Sequence, residues 1–376
     1  MMRILVVTVV HTPLDARIHH RQIRALRDAG HEVTYAAPWA ATSTDRSAVV
    51  PGVRTLEVPR SVGRRRLTAL RAARLLLRAE AASHDLVLIH DPELLLVLPR
   101  RRRSPPIVWD VHEDTAASLI DRPWVPRLVR PFASWAARRA EGWAERRCHL
   151  TLAEASYADR FRRTHPLVPN YPWLPPEDPP PPGPGRVVYV GRIARSRGAL
   201  EMLDLAHRLR GSGIQVDLYG PADRDVQARV QKAHEHDELT WHGFTPNDRA
   251  LAAIEGASAG LSLVHPQPNH AGSLQTKVLE YLSRRVPVIT TDLPVTGPFV
   301  RSRDVGVVVP VGAVDEVELA VRRLAGPDAT EREAIAERGH ALVRDELNWD
   351  LAGAAFVALL VRWAAGPGVS RWGRGR

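Results

Sequence analysis

Short apolar runs alternate with longer amphipathic stretches along nearly the whole chain. The runs predict strands at 3–10, 32–37, 85–90, 106–110 and 148–153, and again at 186–190, 214–219, 238–242, 259–264, 287–291 and 305–309. Between them, apolar residues recur every three or four positions. That spacing predicts helices at 16–29, 63–82 and 127–147, then at 198–210, 222–235, 246–256, 274–284, 313–325 and 330–345, with a last one near 348–363. Strands alternating with helices build right-handed βαβ units on a mostly parallel sheet, so the fold class is α/β.

The pattern breaks once. Pro172-Trp173-Leu174-Pro175-Pro176-Glu177-Asp178 and the prolines after it, up to Gly185, suit neither helix nor central strand and predict an extended, semi-rigid connector. Two Rossmann-like domains are expected, at 1–171 and 186–347, joined by this linker at 172–185. The remaining 348–376 is read as a helix and tail, with a return of that helix to the first domain left open. Two such sheets would face a central cleft with the carboxyl ends of their strands, where open α/β sheets take their ligands.

Composition narrows the class. The 376 residues are 44% hydrophobic and 25% charged, enough for two ordinary cores. One cysteine, Cys148, excludes a disulfide framework and any multi-cysteine metal site. No run approaches the ~18 apolar residues of a membrane span, and the short apolar start reads as a buried strand rather than a signal peptide. A cytoplasmic location follows as the expectation, with the inner face of the membrane also open. The net charge of +10 comes with no zinc-finger spacing, ribonucleoprotein motif or helix-turn-helix, so no nucleic-acid partner is expected. Clusters at Arg64–Arg66, Arg100–Arg103 and through Arg122–Arg147 read first as solvated faces of an arginine-biased protein, and second as attraction to an anionic membrane or phosphorylated acceptor. Within Trp124–Arg147, Trp135 and Trp143 are expected in the core of a long helix, ahead of a peripheral membrane contact.

Of the 52 basic residues only Lys232 and Lys277 are lysine. Lys277 lies in Ser273-Leu274-Gln275-Thr276-Lys277-Val278-Leu279-Glu280-Tyr281-Leu282, three residues before Glu280 and on the same helical face. Ser273 is the expected N-cap. A helix start with a lysine suits a phosphate, and a carboxylate nearby suits sugar hydroxyls. Gly191-Arg192-Ile193-Ala194-Arg195-Ser196-Arg197-Gly198 follows an apolar strand. By itself it reads equally as a strand-to-helix turn or as a phosphate loop; the Lys277 helix in the same domain favours the loop. Asp223-Arg224-Asp225 opens a helix, where acids favour the dipole, and is not expected to bind metal.

These motifs, with Val286-Pro287-Val288-Ile289, resemble retaining GT-B glycosyltransferases of family 4. Asp15-Ala16-Arg17-Ile18, Ala29-Gly30-His31-Glu32-Val33, His90-Asp91-Pro92-Glu93-Leu94 and Asp110-Val111-His112-Glu113-Asp114 are similar to that family's exopolysaccharide branch. The resemblance spans about residues 3–363. It implies an N-terminal acceptor domain and a C-terminal donor domain. Arg192, Arg197 and Lys277 would bind the donor diphosphate, Glu280 the ribose, and the backbone of Ser273 and Leu274 the phosphates or sugar. Gly191 would shape the phosphate loop and Gly243-Phe244-Thr245 would border the base. The family usually has lysine at 197 and a glutamate at 272, where this chain has Arg197 and Gly272, which bears on the donor sugar more than on activity.

In the first domain, His112 would contact the donor sugar and stabilise the transition state, with Glu113 orienting it or the acceptor. Asp91 and Glu93 would position an acceptor hydroxyl, with helix capping the other reading for Asp91. Asp15 and Arg17 form either a salt-bridged turn or an acceptor contact. The implied reaction moves a hexosyl or N-acetylhexosaminyl group from a nucleotide diphosphate sugar, with retention and without metal or other cofactor. The acceptor would be a glycan, a polyprenol-linked saccharide or a small molecule. A nucleotide-sugar 2-epimerase of the same architecture and a non-catalytic sugar-nucleotide or polyanion-binding protein are the alternatives.

Overall fold

A computed structural model describes residues 1–99, 104–112, 130–267 and 272–366. The chain divides into two compact units, one made of residues up to Asn170 together with those from Asp350 onward, the other of Tyr171–Trp349.

The first unit holds a six-stranded parallel sheet. Its strands are β1 (Arg3–Val7), β2 (Glu32–Ala37), β3 (Arg54–Glu57), β4 (Leu86–Ile89), β5 (Ile107–Val111) and β6 (His149–Leu152), in the order β3-β2-β1-β4-β5-β6. Ile4 to Val7 and Leu86 to Ile89 are fully buried, as continuous apolar runs must be when helices cover both faces. The order reverses between β1 and β4, the switch point of a doubly wound sheet.

The second unit repeats the plan. Its strands β7 (Arg186–Val190), β8 (Gln215–Tyr219), β9 (Thr240–Trp241), β10 (Ala259–Ser262), β11 (Val288–Thr291) and β12 (Gly306–Val309) run parallel in the order β12-β11-β10-β7-β8-β9. The switch point falls between β7 and β10. Both sheets are α/β Rossmann-like sheets of one topology.

Some expectations change. Strand β3 was not anticipated; half-exposed Arg54-Thr55-Leu56-Glu57 at the sheet edge carries little apolar signal. The helix Thr296–Arg303 is an addition to the expected elements; its Gly297 and Pro298 are poor helix formers, but both sit in its first turn, where no intrahelical N–H bond is lost. The proline-rich segment is strapped to the second unit rather than bridging freely. Pro172, Pro179 and Pro182 carbonyls accept from Trp349 N (2.7 Å), Arg285 (2.9 Å) and Arg332 (3.1 Å).

Two corrections concern membrane-like features. Trp135 and Trp143 are 55% and 40% exposed on the helix Arg130–Arg147 instead of packing in the core. The core side of that helix is taken by Ala144 and by Glu141 and Glu145, which pair with Arg160 and His165. And Thr330–Ala365 does contain an 18-residue window apolar enough for a membrane span, mean hydropathy 1.2. In the fold it forms two helices, Thr330–Asp345 and Trp349–Ala365, that bury Ile335, Val343, Trp349, Phe356 and Leu360. The second of these stacks Trp363 on His149 at the start of β6, centroids 4.5 Å apart.

Candidate functional site

The carboxyl ends of β1, β4, β5 and β6 gather a buried polar cluster. Its hub is Asp110, fully buried on β5. Its two oxygens accept from Arg17 Nε and Nη2, each at 2.7 Å, and from Thr151 Oγ1 at 2.7 Å. Asn170 Oδ1 accepts from Arg17 Nη1 at 2.8 Å. Burial by itself would raise the Asp110 carboxyl's pKa, but the charge and hydrogen bonds of Arg17, joined by the histidines, outweigh it and hold it well below the carboxylate range. Arg17 is therefore committed to this lock rather than open to an acceptor.

Three histidines ring the hub. His90 Nδ1 and His112 Nδ1 lie 3.3 and 3.4 Å from Asp110 Oδ2. His112 Nδ1 is also 3.0 Å from the Asp110 carbonyl, and its Nε2 is 3.0 Å from His11 Nε2. His90 is fully buried, and burial pushes its pKa down against the pull of Asp110. His90, Asp110 and His112 bring three ligand-type atoms within 4.8 Å of one another, the composition of a metal site. Yet Asp110 already accepts from Arg17 and Thr151, and a cation there would sit against a buried guanidinium. The donor set fits a hydrogen-bond hub better than a metal ligand set.

The remaining expected acceptor residues are placed as follows. Asp91 does not cap the turn Pro92–Val97 with its side chain. Instead its Oδ2 accepts from Thr8 Oγ1 (2.9 Å) and Val9 N (2.6 Å), closing the end of β1, and its Oδ1 lies 3.4 Å from His11 Nε2. Asp15 Oδ1 accepts from Arg17 N (2.8 Å) and Ile18 N (3.0 Å), capping the π-helical turn Ile18–Ile23, while Oδ2 faces His11. Burial would raise Asp15, but His11 outweighs it and holds the carboxyl far below its usual range. Glu93 pairs with Ser61 and with Arg66 at 3.2 Å. Glu113 lies outside the described residues.

In the second unit the site forms where β7 and β10 part. Their pairing covers Ala259↔Val187 and Gly260↔Val188. Beyond it, Tyr281 Oη accepts from Val190 N at 3.0 Å and donates to the Leu261 carbonyl at 3.0 Å, bridging the two strands. The ring lies so close to Gly260 that a Cβ there would meet it at 2.5 Å. Tyr281 thus anchors the helix Thr276–Ser283 at the switch point and fixes where Lys277 points.

Lys277 is 6% exposed. Its Nζ sits 3.8 Å from the centroid of Tyr189, without a hydrogen-bond partner. Burial drives its pKa well below the usual lysine value, the charge of Arg197 adds to this, and Glu280 opposes it. Gly191 (φ +132°) lets the backbone turn beside the ammonium; a Cβ there would lie 3.4 Å from Nζ. Burial pushes the Tyr189 phenol up to about 12, and it donates to the Arg192 carbonyl at 2.7 Å. Gly191, Arg197, Lys277 and the helix start are thereby brought together around Tyr189.

Other donor-site residues are placed differently. The helix begins at Thr276, with Gln275 in the N-cap position, so Ser273 is not its cap and Ser273-Leu274 lie in the preceding loop. Thr296 Oγ1 ties that loop, 3.4 Å from both Gln275 N and the Ser273 carbonyl. Arg192 turns outward in a two-point pair with Asp223 (2.5 and 3.0 Å), and Arg195 pairs with Asp225 at 2.7 Å, so each acid of the Asp-Arg-Asp run faces an arginine. Glu280 accepts from Asn247 at 3.3 Å. Gly243 (φ +66°) accepts from Gly220 N at 2.7 Å and from Thr245 Oγ1 at 3.4 Å, and Phe244 is 78% exposed.

Sequence reasoning assigned no role to His11, His90, Asp110, Thr151 and Asn170, although His90 and Asp110 stand in the quoted motifs. For the first four the signal existed, polar residues at or just past the carboxyl ends of apolar strands; Asn170 reaches the hub only through tertiary folding.

Two six-stranded parallel Rossmann-like sheets of one topology define a fold class, GT-B. Residues 16–170 match the family described as glycosyl transferase 4-like domain, and residues 184–326 match glycosyl transferases group 1. The chain belongs to the family 4-like GT-B glycosyltransferases. Among curated proteins it is 29% identical over 171 residues to an alpha-D-kanosaminyltransferase of Streptomyces kanamyceticus, a match covering 44% of this chain and 43% of that relative. The match thus spans less than half the length of the relative. Similar folds include sucrose-phosphate synthase from Thermosynechococcus elongatus (16% identity, TM-score 0.71, 96% of this chain and 99% of that one). The Anabaena protein HepE in complex with UDP (12%, 0.66, 96% and 99%) and WaaG, a glycosyltransferase of lipopolysaccharide biosynthesis (14%, 0.67, 94% and 98%), are also similar.

Proposed function

We propose that this chain transfers a sugar from a nucleotide diphosphate sugar to a hydroxyl of a glycan, lipid-linked or small-molecule acceptor, with retention at the anomeric carbon. The observation that carries the reading is the buried, unpartnered Lys277 ammonium beside the Gly191 turn at the β7/β10 switch point. An ammonium held out of water without a hydrogen-bond acceptor is costly, and a diphosphate supplies what it lacks.

On this reading Lys277 and Arg197 take the charge that develops on the leaving diphosphate, without requiring a divalent metal. Arg192 joins them by leaving Asp223. Glu280 takes the ribose hydroxyls, and Gly243-Phe244-Thr245 borders the base. The first unit handles the acceptor, and His112 stabilises the transition state. HepE in its UDP complex makes uridine the first nucleoside to test, and the relative named as an alpha-D-kanosaminyltransferase supports transfer of a glycosyl group. A lipid-linked acceptor is supported by exposed Trp135 and Trp143 beside Arg138, Arg139 and Arg146, a face suited to an anionic bilayer at the inner membrane surface.

The test is a panel of UDP-, GDP-, ADP- and dTDP-sugars with and without EDTA. Binding by thermal shift identifies the base, mass spectrometry detects transfer to added acceptors, and the anomeric coupling constant reads retention. A folded chain stabilised by none of these nucleotides would reject the proposal.

A further inference from the structure

His11 stands four residues past the end of β1 and carries no role in the reading above, yet its Nε2 is 3.0 Å from His112 Nε2. Two imidazole nitrogens at this distance make a hydrogen bond only if one carries the proton and the other offers its lone pair. The surroundings of the two rings decide which. His112 Nδ1 faces two acceptors, the Asp110 carbonyl at 3.0 Å and Asp110 Oδ2 at 3.4 Å. The proton of a neutral His112 therefore belongs on Nδ1, and its Nε2 is the lone pair.

The donor must then be His11. Its Nδ1 is 3.7 Å from Asp15 Oδ2, and its Nε2 is 3.4 Å from Asp91 Oδ1 as well as 3.0 Å from His112. Carboxylates at both ends of the ring favour a proton on both nitrogens. Asp15 and Asp91 are themselves fixed, by the backbone N–H groups of Arg17 and Ile18 and by Thr8 and Val9. The two rings tilt at 52° with centroids 4.7 Å apart, which suits an edge contact through nitrogen rather than stacking.

We infer that His11 is the positioning residue of His112: it donates to Nε2, and with Asp110 at Nδ1 it fixes both the tautomer and the angle of that ring. The single Nε2 lone pair of His112 is thus held by the His11 proton, and a ligand hydroxyl donates to it only by displacing that proton, which then turns to Asp91 Oδ1, 3.4 Å from His11 Nε2. The line Asp15–His11–His112–Asp110 works like the carboxylate–histidine pairs that orient catalytic imidazoles, with a second histidine interposed. The inference rests on the role proposed for His112 in transfer, so its first readout needs no substrate.

Long-range proton–nitrogen NMR of the histidine-labelled chain, with the signals of His112 identified by their loss in His112→Gln, reads which nitrogen is protonated. The expected result is a protonated Nδ1 and a bare Nε2 on His112 in the chain alone. His11→Phe keeps the volume and removes the donor. It should lower kcat about tenfold or more, with the donor KM changed by less than about twofold. His11→Gln still has an amide N–H to offer and should retain the tautomer and most of the turnover, which separates positioning from a general loss of packing.

A proton on Nε2 of His112 in the unmodified chain would overturn the inference. So would His11→Phe, folded by circular dichroism, turning over at the unmodified rate. The expected tautomer in a chain that transfers no sugar would uphold the His11 assignment and reject the reaction proposed for it.

Discussion

The Nζ of Lys277 lies 3.8 Å from the centre of the Tyr189 ring and meets no hydrogen-bond acceptor. The ring face offers a cation some stabilisation, but less than the hydration it replaces. Burial, and next to it the charge of Arg197, therefore hold the lysine pKa well below its ordinary value. The sign of the consequence is fixed. Between the depressed folded value and the unfolded value of 10.5 the unfolded chain binds the extra proton, so this residue's contribution to stability rises with pH across that window. Below it the residue destabilises the empty fold. Lys277→Met should raise the melting temperature by a few degrees at neutral pH, on the order of 1 kcal/mol, and abolish nucleotide-diphosphate binding. A variant that melts lower than the unmodified chain while still binding nucleotide would contradict both halves.

The same residue predicts proton uptake on binding. A diphosphate beside Nζ favours the charged form and lifts the pKa that burial depresses. Wherever free Lys277 is partly deprotonated, the complex takes up a proton, so affinity should strengthen as pH falls. Calorimetry in buffers of different ionisation enthalpy measures the uptake. With a nucleotide diphosphate sugar, whose diphosphate has no ionisation near neutral pH, it should approach but not exceed one proton in the pH range where the free lysine is deprotonated.

Asp110, paired with Arg17, follows pH in the same sense but in an acid window, and there its charged form stabilises the fold. The carboxyl's folded pKa is depressed, so its contribution to stability is full above the unfolded value of 3.8 and is lost as pH falls through that value towards the folded one. Replacing one partner leaves the other charged, buried and uncompensated. Asp110→Asn should destabilise the first unit by about 3–5 kcal/mol, measured by urea unfolding followed through Trp109, which is buried on the same strand. Arg17→Ala should cost a similar amount. Loss of acceptor affinity in Arg17→Lys with full stability would instead return Arg17 to a binding role.

The architecture was legible because its evidence is repeated: each βαβ unit writes its own apolar run and amphipathic stretch, and a slip of a residue or two at an end leaves the order intact. The helix that carries Lys277 and Glu280 was legible for a related reason, since its apolar spacing is local. The lock around Asp110 was not. It joins Arg17, Thr151 and Asn170 across up to 153 positions, and only the strand order brings them to one sheet end. Arg17 accordingly read as a salt-bridged turn with Asp15 or an acceptor contact, whereas its guanidinium, 5% exposed, pairs with Asp110 93 positions away. Ser273 shows the limit at a helix end. Its residue type favours a cap, but Gln275 is itself extended, with its N–H facing Thr296 Oγ1, so the helix starts two residues later than expected.

Arg192 offers the remaining prediction, because its guanidinium is held by Asp223 while its proposed ligand is a phosphate. Both side chains are partly open to solvent, 66% and 26% exposed, so the pair is screened and contributes at most about 1 kcal/mol. A diphosphate, with more charge and a better-enclosed position beside Lys277, should win that competition. Asp223→Asn removes the competing charge but keeps the backbone carbonyl that accepts from Val226 and Gln227 at the start of the helix Arg224–Glu235. Affinity for the nucleotide diphosphate should then improve, by up to about fivefold. Arg192→Ala should weaken it, and in the double variant the gain from Asp223→Asn should disappear, since no arginine is left to release. Weaker binding in Asp223→Asn alone would mean that the carboxylate itself contacts the ligand and that Arg192 is its orienting partner.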